Sequence, residues 1–346
     1  MKQAMKQGHG DATDSRLAPA AWAVLMLLGA GVGLLLGASG GSTGWQWPWQ
    51  ARLDPLQWQI VADIRVPRSL GAWLGGALLG LAGALAQGLF RNPLADPFLL
   101  GSAPGASLGV CIYLAVAAGS ALAVPGLAQL GQTGAAFLAA AGAVALTLLL
   151  SRGVQHTQRL LLAGVIVGVL LGALTSWLSL LRPELARAMQ GFLLGSTGLV
   201  GWSACALMTA TLLACMALSW PLARVLDALT LGQSTAQSLG MPVAAARWVL
   251  VVALSLATGA AVAQLGLIAF VGLAAPHMVR ALAPMPHRWS LPLAALAGGL
   301  LLLLADLLAR VLMAPQDMPV GVLTAVLGGG YLLLRLSRLQ ASGGAA

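Results

Sequence analysis

Ionisable residues are scarce in this chain, so those inside apolar stretches are the first candidates for chemistry. Asp306 is the one acidic residue deep inside a long apolar run, and Arg310 follows it four residues later. On a helix this spacing places both side chains on one face, where they can form an ion pair. An ionisable group buried in such a stretch can also mark a proton pathway. We therefore interpret the pair as structural or interfacial and keep proton coupling at Asp306 as the alternative.

The sequence lacks the residue patterns of common nucleotide, metal and redox sites. A P-loop needs a lysine directly after a glycine, but the two lysines, Lys2 and Lys6, both follow methionine. The four histidines show no metal-ligand spacing and the three cysteines form no CxxC pair; they are His9, His156, His277, His287, Cys111, Cys205 and Cys215. We predict no catalytic residue, no metal site and no resident cofactor in this chain.

Two arginines lie just before the second apolar run, in the sequence Arg65-Val-Pro-Arg68. The planar guanidinium group binds carboxylates through two parallel hydrogen bonds. The pair therefore suits a docking patch for an acidic partner. Anchoring to lipid headgroups is the alternative.

The segment Gln87–Gly101 contains two prolines, Pro93 and Pro97, on either side of Leu94-Ala-Asp96. Proline cannot continue a helix, and the residue before it avoids helical geometry. Irregular backbone at membrane depth is tolerated only where protein or a water-filled cavity covers it. We predict a helix break with a gate-like or re-entrant role.

A third polar segment, residues 224–247, is the longest polar stretch on one face of the predicted bundle. Gly240 and Pro242 near its end are typical helix terminators. The pattern predicts two short exposed helices that contact another protein.

Composition identifies the class of protein that must position these residues. Hydrophobic residues make up 59% of the 346 residues, and only 8% are charged. Ordinary soluble domains are about 45–50% apolar and about 25% charged. We predict an all-α polytopic membrane protein, which excludes soluble enzymes, disulfide scaffolds and disordered chains. The arginines are scattered between the apolar runs, as topology signals are, so no nucleic-acid binding is predicted.

Ten apolar runs can be traced. They cover residues 19–38 and stretches near 69–90, 98–118, 133–151, 160–181, 203–223, 248–270, 271–284, 290–311 and 320–336. The first run could instead be a signal peptide, and a polar loop rich in tryptophan, Ser39–Asp63, follows it. Residues 1–18 and 339–346 form tails around a single transmembrane domain, 19–338.

Charge predicts the orientation of these ten spans. With both termini inside, six of the eighteen basic residues lie outside and twelve inside; the outside set is Arg52, Arg65, Arg68, Arg182, Arg187 and Arg310. The positive-inside rule therefore places both termini in the cytoplasm.

Small residues recur at four-residue spacing in several runs, which lets helix backbones approach closely. The stripes are Gly29/Gly33/Gly37, Gly71/Gly75, Gly76/Gly80 and Gly164/Gly168/Gly172. Each stripe could form a dimer seam or a pathway wall, or could serve ordinary packing within the bundle.

Together these segments resemble one family closely, the permeases of type II ABC importers for ferric siderophores, haem and cobalamin (FecCD-like permeases). The motifs run from Arg65 to about Leu334: RVPR at Arg65–Arg68, GALLGLAGALAQ at Gly76–Gln87, RNPLADP at Arg91–Pro97, LLGSAPGA at Leu99–Ala106, LLAGV at Leu161–Val165, LG…A..LG at Leu231–Gly240, FVGLAAPHMVR at Phe270–Arg280 and PVGVLTAVLG at Pro319–Gly328. The chain departs from the family pattern at four places. An acidic residue is usual at the position of Gln233, and glutamate is usual at that of Asp317. Tryptophan is usual at the position of Phe192, and a small residue followed by proline and phenylalanine is usual at Gly329–Tyr331.

The resemblance implies a ten-helix subunit that pairs as a homodimer in the bacterial inner membrane. Two cytosolic ATPases, which use ATP and magnesium, and one periplasmic binding protein would dock on it. The implied site residues are Arg65, Arg68 and Arg310 for the binding protein; Leu231, Gly232, Ala236, Leu239, Gly240 and Met241 for the ATPase; Gln155, His156 and Thr157 for a cytoplasmic gate; and Gln87, Asn92, Pro93, Pro97, Gly164 and Gly168 for the pathway and helix break. A solvated loop is the alternative at 155–157.

The resemblance implies import of haem or another iron chelate by alternating access, driven by the separate ATPase. Cobalamin is the alternative substrate. From a different class, an ion-coupled secondary transporter and a membrane enzyme remain as alternatives.

Overall fold

The computed structural model is a helical bundle, and it describes residues 18–41, 44–45, 47–51, 54–117, 125–151, 157–314 and 316–330. The helices are α1 (Pro19–Ser39), α2 (Pro48–Ala51), α3 (Pro55–Ile60), α4 (Val66–Phe90), α5 (Ser102–Ala117), α6 (Pro125–Leu150), α7 (Thr157–Leu181), α8 (Pro183–Leu194), α9 (Trp202–Ser219), α10 (Ala223–Thr230), α11 (Gln233–Ser238), α12 (Val243–Leu265), α13 (Val271–Leu282), α14 (His287–Leu312) and α15 (Val320–Gly330). A π-helical turn, Val61–Arg65, joins α3 to α4, and a 3-10 turn, Pro97–Leu100, precedes α5. Two short strands, β1 (Gly40–Gly41) and β2 (Gly44–Trp45), pair antiparallel.

Each of the ten predicted apolar runs contains a helix. Within the described residues, seven helices are long and apolar enough to cross a membrane, and α3 to α4 counts as one of them, Pro55–Phe90. The helices α5, α13 and α15 are shorter. The prediction of an all-α polytopic fold is confirmed.

The second span begins earlier than predicted. Asp54 caps α3 by accepting a hydrogen bond from the backbone N–H of Leu56 at 3.0 Å, and Pro55 occupies the first helical turn. Both features favour a helix start. The prediction of a loop as far as Asp63 was wrong. The tryptophans and polar residues around this segment are typical of a loop, and they outweighed the helix-start signal of Asp54 and Pro55.

The predicted run 248–270 is not one helix. The helix α12 ends at Leu265, and Gly266 and Phe270 then take positive φ angles of 73° and 68°. Positive φ is unusual for a bulky residue such as phenylalanine and often occurs at functional sites. The start of α13 at Val271 is therefore set by a strained turn that hydropathy does not reveal.

The helix α4 forms the centre of the bundle. It is buried along nearly its whole length and packs against α14, α12, α13 and α9, whereas α1 and α7 expose many leucines and valines. Its small residues permit this position. Gly76 and Gly80 meet the backbone of Gly298 and Ala294 on α14, where an added Cβ would collide with carbonyl oxygens.

The small-residue stripes of α1 and α4 thus serve packing inside the subunit. Gly33 and Gly37 face Leu303 and Ser69, and Gly71 and Gly75 face Val200 and Leu265. The stripe of α7 differs, because Gly172 has no atom within 4 Å of its Cβ position. Of the four stripes, only the one on α7 is still a candidate for the predicted dimer seam or pathway wall.

A substitution of Gly83 tests how tightly α4 packs against α13. A Cβ atom there would collide with the carbonyl oxygen of Gly272 at the start of α13, so we expect Gly83→Ala to destabilise the protein by about 1–3 kcal/mol. Thermal unfolding in detergent micelles measures the effect as a lower midpoint. Gly142→Ala is the matched control, because nothing lies within 4 Å of that position; an equal shift in both variants would contradict the prediction.

Candidate functional sites at the two ends of the bundle

The predicted ion pair of Asp306 and Arg310 is present on α14 and is buried. A second oxygen of Asp306 accepts a hydrogen bond from Nε of Arg68 on α4 at 3.3 Å, so one carboxylate binds two arginines. The side chain of Asp306 is 0% exposed, against 9% for Arg310 and 13% for Arg68. This arrangement agrees with the structural interpretation of the pair, since two guanidinium groups hydrogen-bond to one enclosed carboxylate.

Further polar contacts extend this cluster to neighbouring elements. Thr197, in the turn after α8, donates its hydroxyl to Asp306. Arg310 also donates to the carbonyl oxygen of Gly37 at 3.0 Å and to the hydroxyl of Ser69 at 3.0 Å. The cluster therefore ties α1, α4 and α14 together at one end of the bundle, which we call the arginine end.

Asp317 completes the cluster from the connection between α14 and α15. Its Oδ2 lies 2.6 Å from Nη1 of Arg68, and its side chain is 53% exposed. Sequence reasoning did not identify this role of Asp317 or that of Thr197. Each acts across a long separation along the chain, and no short motif signals such a contact.

The three predicted docking arginines lie together, but they differ in how accessible each guanidinium group is to a partner protein. Arg65, at the end of the π-helical turn, donates to the carbonyl oxygen of Ser39 at 3.2 Å and makes no ion pair within the described part of the chain. Such π-helical turns are frequent at functional sites. Arg68 is held by two carboxylates, and Arg310 is enclosed. Arg65 is therefore the most available of the three for a partner.

At the opposite end, the polar segment 224–247 contains the two predicted short helices, α10 and α11, and its last residues already belong to α12. Gly232 and Gly240 have φ angles of 114° and 74°, which favour glycine, so each turn depends on it. Leu231 and Leu239 are 68% and 59% exposed. This short-helix end therefore presents two leucines on a rigid turn-helix-turn.

The remaining two predicted coupling residues, Ala236 and Met241, pack in an apolar cluster below that surface. Ala236 is fully buried, and it packs with Leu229, Val243 and Ala246, with the half-buried Met241 beside them. This small apolar cluster fixes α11 on α10 and α12. Substituting Ala236 would thus disturb the shape of the surface without touching a partner.

A second contact at this end was missed by sequence reasoning. Asp227 on α10 lies 2.6 Å from Nδ1 of His287 and accepts a hydrogen bond from its backbone N–H at 3.0 Å. His287 is the first residue of α14. The interaction joins the short helices to the long helix that carries Asp306 and Arg310 at its other end.

The structure has a helix end and a turn within the segment where the prolines predict a break. The helix α4 ends at Phe90, Arg91 takes a positive φ of 50°, and a turn bonded by Asn92 leads to Pro97. Asp96 caps the 3-10 turn by accepting a hydrogen bond from Phe98 N–H at 2.7 Å. Pro93 is exposed in the turn, and Pro97 is buried.

Gln87 links this break to α13. Its amide donates to the carbonyl oxygen of Leu273 at 3.2 Å, and its oxygen accepts from Arg280. Pro97 lies against Gly272 of the same helix. The break is thus held by specific contacts and is not a free loop.

A cavity of about 460 Å³ adjoins the break, and the predicted glycines of α7 form part of its wall. Its lining is mostly apolar, with Asp96 as the charged residue; the other members are Phe98, Leu99, Gly101, Gly164, Val165, Gly168, Val169, Ala269 and Phe270. Gly164 contacts the carbonyl oxygen of Leu99 so closely that a side chain there would collide with it. The cavity depends on glycine at this crossing.

The predicted gate falls largely beyond the described residues. Gln155 and His156 lie outside them, and Thr157 is the first residue of α7. Within the described residues, no group of three or more His, Cys, Asp or Glu side chains is arranged to hold a metal ion.

One protein family, the FecCD transport family, matches residues 24–338 of the chain. The chain belongs to the FecCD family. It is 40% identical to the hemin transport system permease protein HmuU of Yersinia pestis over 292 residues, which cover 84% of this chain and 86% of that protein. It is 39% identical to the vitamin B12 import permease BtuC of Salmonella paratyphi A over 297 residues, covering 83% and 86% of the two chains.

Solved structures agree with this assignment. A transporter assigned to the metal-chelate type of ABC transporters, in an inward-facing conformation, superimposes with a TM-score of 0.81 and 29% identity, covering 93% of this chain and 100% of that one. PsaBC from Streptococcus pneumoniae shares the fold, with a TM-score of 0.54, 18% identity and coverage of 76% and 89%. This FecCD protein is therefore the membrane-spanning permease of an ABC importer, and family permeases work with ATPase and binding-protein partners.

Proposed function

We propose that this permease imports haem or another iron chelate as a homodimer across the bacterial inner membrane. Two cytosolic ATPases, which use ATP and Mg²⁺, bind the short-helix end, and a periplasmic binding protein docks at the arginine end. Both termini then lie in the cytoplasm. Rigid-body switching between outward and inward access carries the substrate.

The wall of the cavity beside the helix break carries the substrate proposal. Phenylalanine, leucine, valine and glycine make up most of that wall. A porphyrin has large apolar faces that such a wall accepts, whereas the corrin ring of cobalamin carries a fringe of amides that need hydrogen-bond partners. This favours haem over cobalamin, which stays the second candidate because the hemin and vitamin B12 permeases are similarly identical to the chain.

Proteoliposomes containing the permease, its ATPase and its binding protein test the substrate. We expect ATP-dependent uptake of haem, with cobalamin uptake near the background of empty vesicles. Vesicles with an ATPase variant that cannot hydrolyse ATP provide the control. Uptake of cobalamin without haem would overturn the substrate proposal, and uptake without ATP hydrolysis would overturn the importer mechanism.

Proton coupling at Asp306 receives no support from the geometry. A proton carrier must exchange protons with water, but Asp306 is enclosed and bonded to two arginines and a threonine. Its role here is that of a fixed counter-ion.

Arg65 provides the direct test of docking. We expect Arg65→Glu to weaken binding of the binding protein about tenfold at low ionic strength, because the change removes an attractive charge and adds a repulsive one. Surface plasmon resonance on the permease–ATPase complex measures the affinity. Arg187→Glu in α8 is the matched control, since that arginine is exposed at the same end. Equal weakening by both variants would indicate a general charge effect and argue against docking at Arg65.

A further inference from the structure

We infer that Asp317 is an internal competitor for the docking site: it occupies Arg68 until a carboxylate of the partner protein displaces it. This inference rests on the proposed docking at the arginine end. It concerns how that site is regulated, and it adds an acidic residue whose removal should strengthen binding.

Arg68 is held by two carboxylates of very different character. Asp306 binds its Nε at 3.3 Å and is completely buried, whereas Asp317 binds its Nη1 at 2.6 Å and is 53% exposed. The buried partner fixes the position of the guanidinium group. The exposed partner occupies the Nη1 position, where an incoming carboxylate could bind.

The charges of the cluster cancel while Asp317 is in place. Arg68 and Arg310 carry one positive charge each, and Asp306 and Asp317 carry one negative charge each. A neutral cluster gives little attraction to an acidic partner beyond that of Arg65. Displacement of Asp317 leaves one uncompensated positive charge at the position of Arg68.

The exchange is energetically feasible because the pair is accessible to water. Exposed ion pairs are worth little, since solvent screens them and side-chain ordering offsets the attraction. A partner carboxylate that binds in an interface from which water is excluded gains a stronger interaction. Arg68 keeps its bond to Asp306 during the exchange, so its side chain need not be reorganised.

Displacement of Asp317 also removes a contact that holds the segment before α15. Asp317 lies in the connection that leads directly into α15, where Met318 N–H bonds the carbonyl oxygen of Ala309 at 3.4 Å and Gly321 N–H bonds that of Gly195 at 3.4 Å. Both are long hydrogen bonds. Loss of the Arg68 contact therefore removes the shortest polar contact of this connection among the described residues.

The test compares Asp317→Asn with Asp63→Asn by measuring association of the binding protein with the permease–ATPase complex in low salt. Asp63 is exposed near Arg65 and makes no ion pair within the described residues, so both variants remove one negative charge at the same end. We expect Asp317→Asn to raise the affinity roughly three- to tenfold, mainly through the association rate. We expect Asp63→Asn to change it less than about twofold.

Asp317→Glu keeps the competing carboxylate and should bind like the wild type, and the thermal midpoints of all three variants establish that they are folded. Unchanged or weaker binding by Asp317→Asn, or an equal gain in Asp63→Asn, would overturn the inference while leaving docking intact. Absence of binding by the wild-type permease itself would instead overturn the proposed docking.

Discussion

Replacing both exposed leucines of the short-helix end, Leu231→Glu together with Leu239→Glu, should abolish substrate import. The two side chains are more than half exposed and flank α11, so they are the apolar anchors available to the ATPase. Burying two carboxylates at their positions would require desolvation without a partner. We expect ATPase binding to fall at least about a hundredfold, because truncation of a hot-spot residue costs about 2 kcal/mol or more.

Co-purification of the ATPase and uptake into proteoliposomes measure this loss. Gln237→Glu is the control for added negative charge, because it places one carboxylate, against two in the double variant, on the exposed face of α11 and leaves both leucines unchanged. The double variant should retain its thermal midpoint, since Leu231 and Leu239 are outside the apolar cluster around Ala236. Normal uptake in the double variant would remove these leucines from the coupling surface.

The sequence predicts those features of the site that depend on short spacings. The pair Asp306 and Arg310 spans one helical turn, and the break at Pro93 and Pro97 follows from the chemistry of proline. The two short helices are bounded by glycine and proline within a few residues. Each of these predictions needed only local geometry, which the order of residues determines.

The features that were missed depend on contacts between distant parts of the chain. Arg68 meets a carboxylate 238 positions later, and Asp227 meets a histidine 60 positions later. Such pairs depend on how α4, α10 and α14 pack, and packing is decided by many weak contacts. The availability of the arginines could not be judged from sequence either, because the order of residues does not show that Arg68 is held by both Asp306 and Asp317.

Asp306→Ala should be among the most destabilising single substitutions at the arginine end. It leaves Arg310 buried without its carboxylate and also removes the partner of Thr197. Breaking a buried ion pair by removing one member costs about 3–5 kcal/mol, because an uncompensated charge stays in a low-dielectric site. We expect a large fall in the thermal midpoint in detergent and a reduced yield of folded permease.

The double variant Asp306→Leu with Arg310→Met distinguishes two contributions to the free energy of unfolding. One is the cost of leaving a single buried charge unpaired, and the other is the stabilisation that the ion pair itself provides. Apolar residues of similar volume often replace a buried ion pair with little loss, and Arg68 retains Asp317 as its partner. We therefore expect the double variant to recover most of the stability lost in Asp306→Ala. Arg310→Met alone should cost less than Asp306→Ala, because Asp306 keeps its bonds to Arg68 and Thr197. If the double variant is as unstable as Asp306→Ala, then the hydrogen bonds of Arg310 to Gly37 and Ser69, and not the ion pair, hold α1 and α4 at this end.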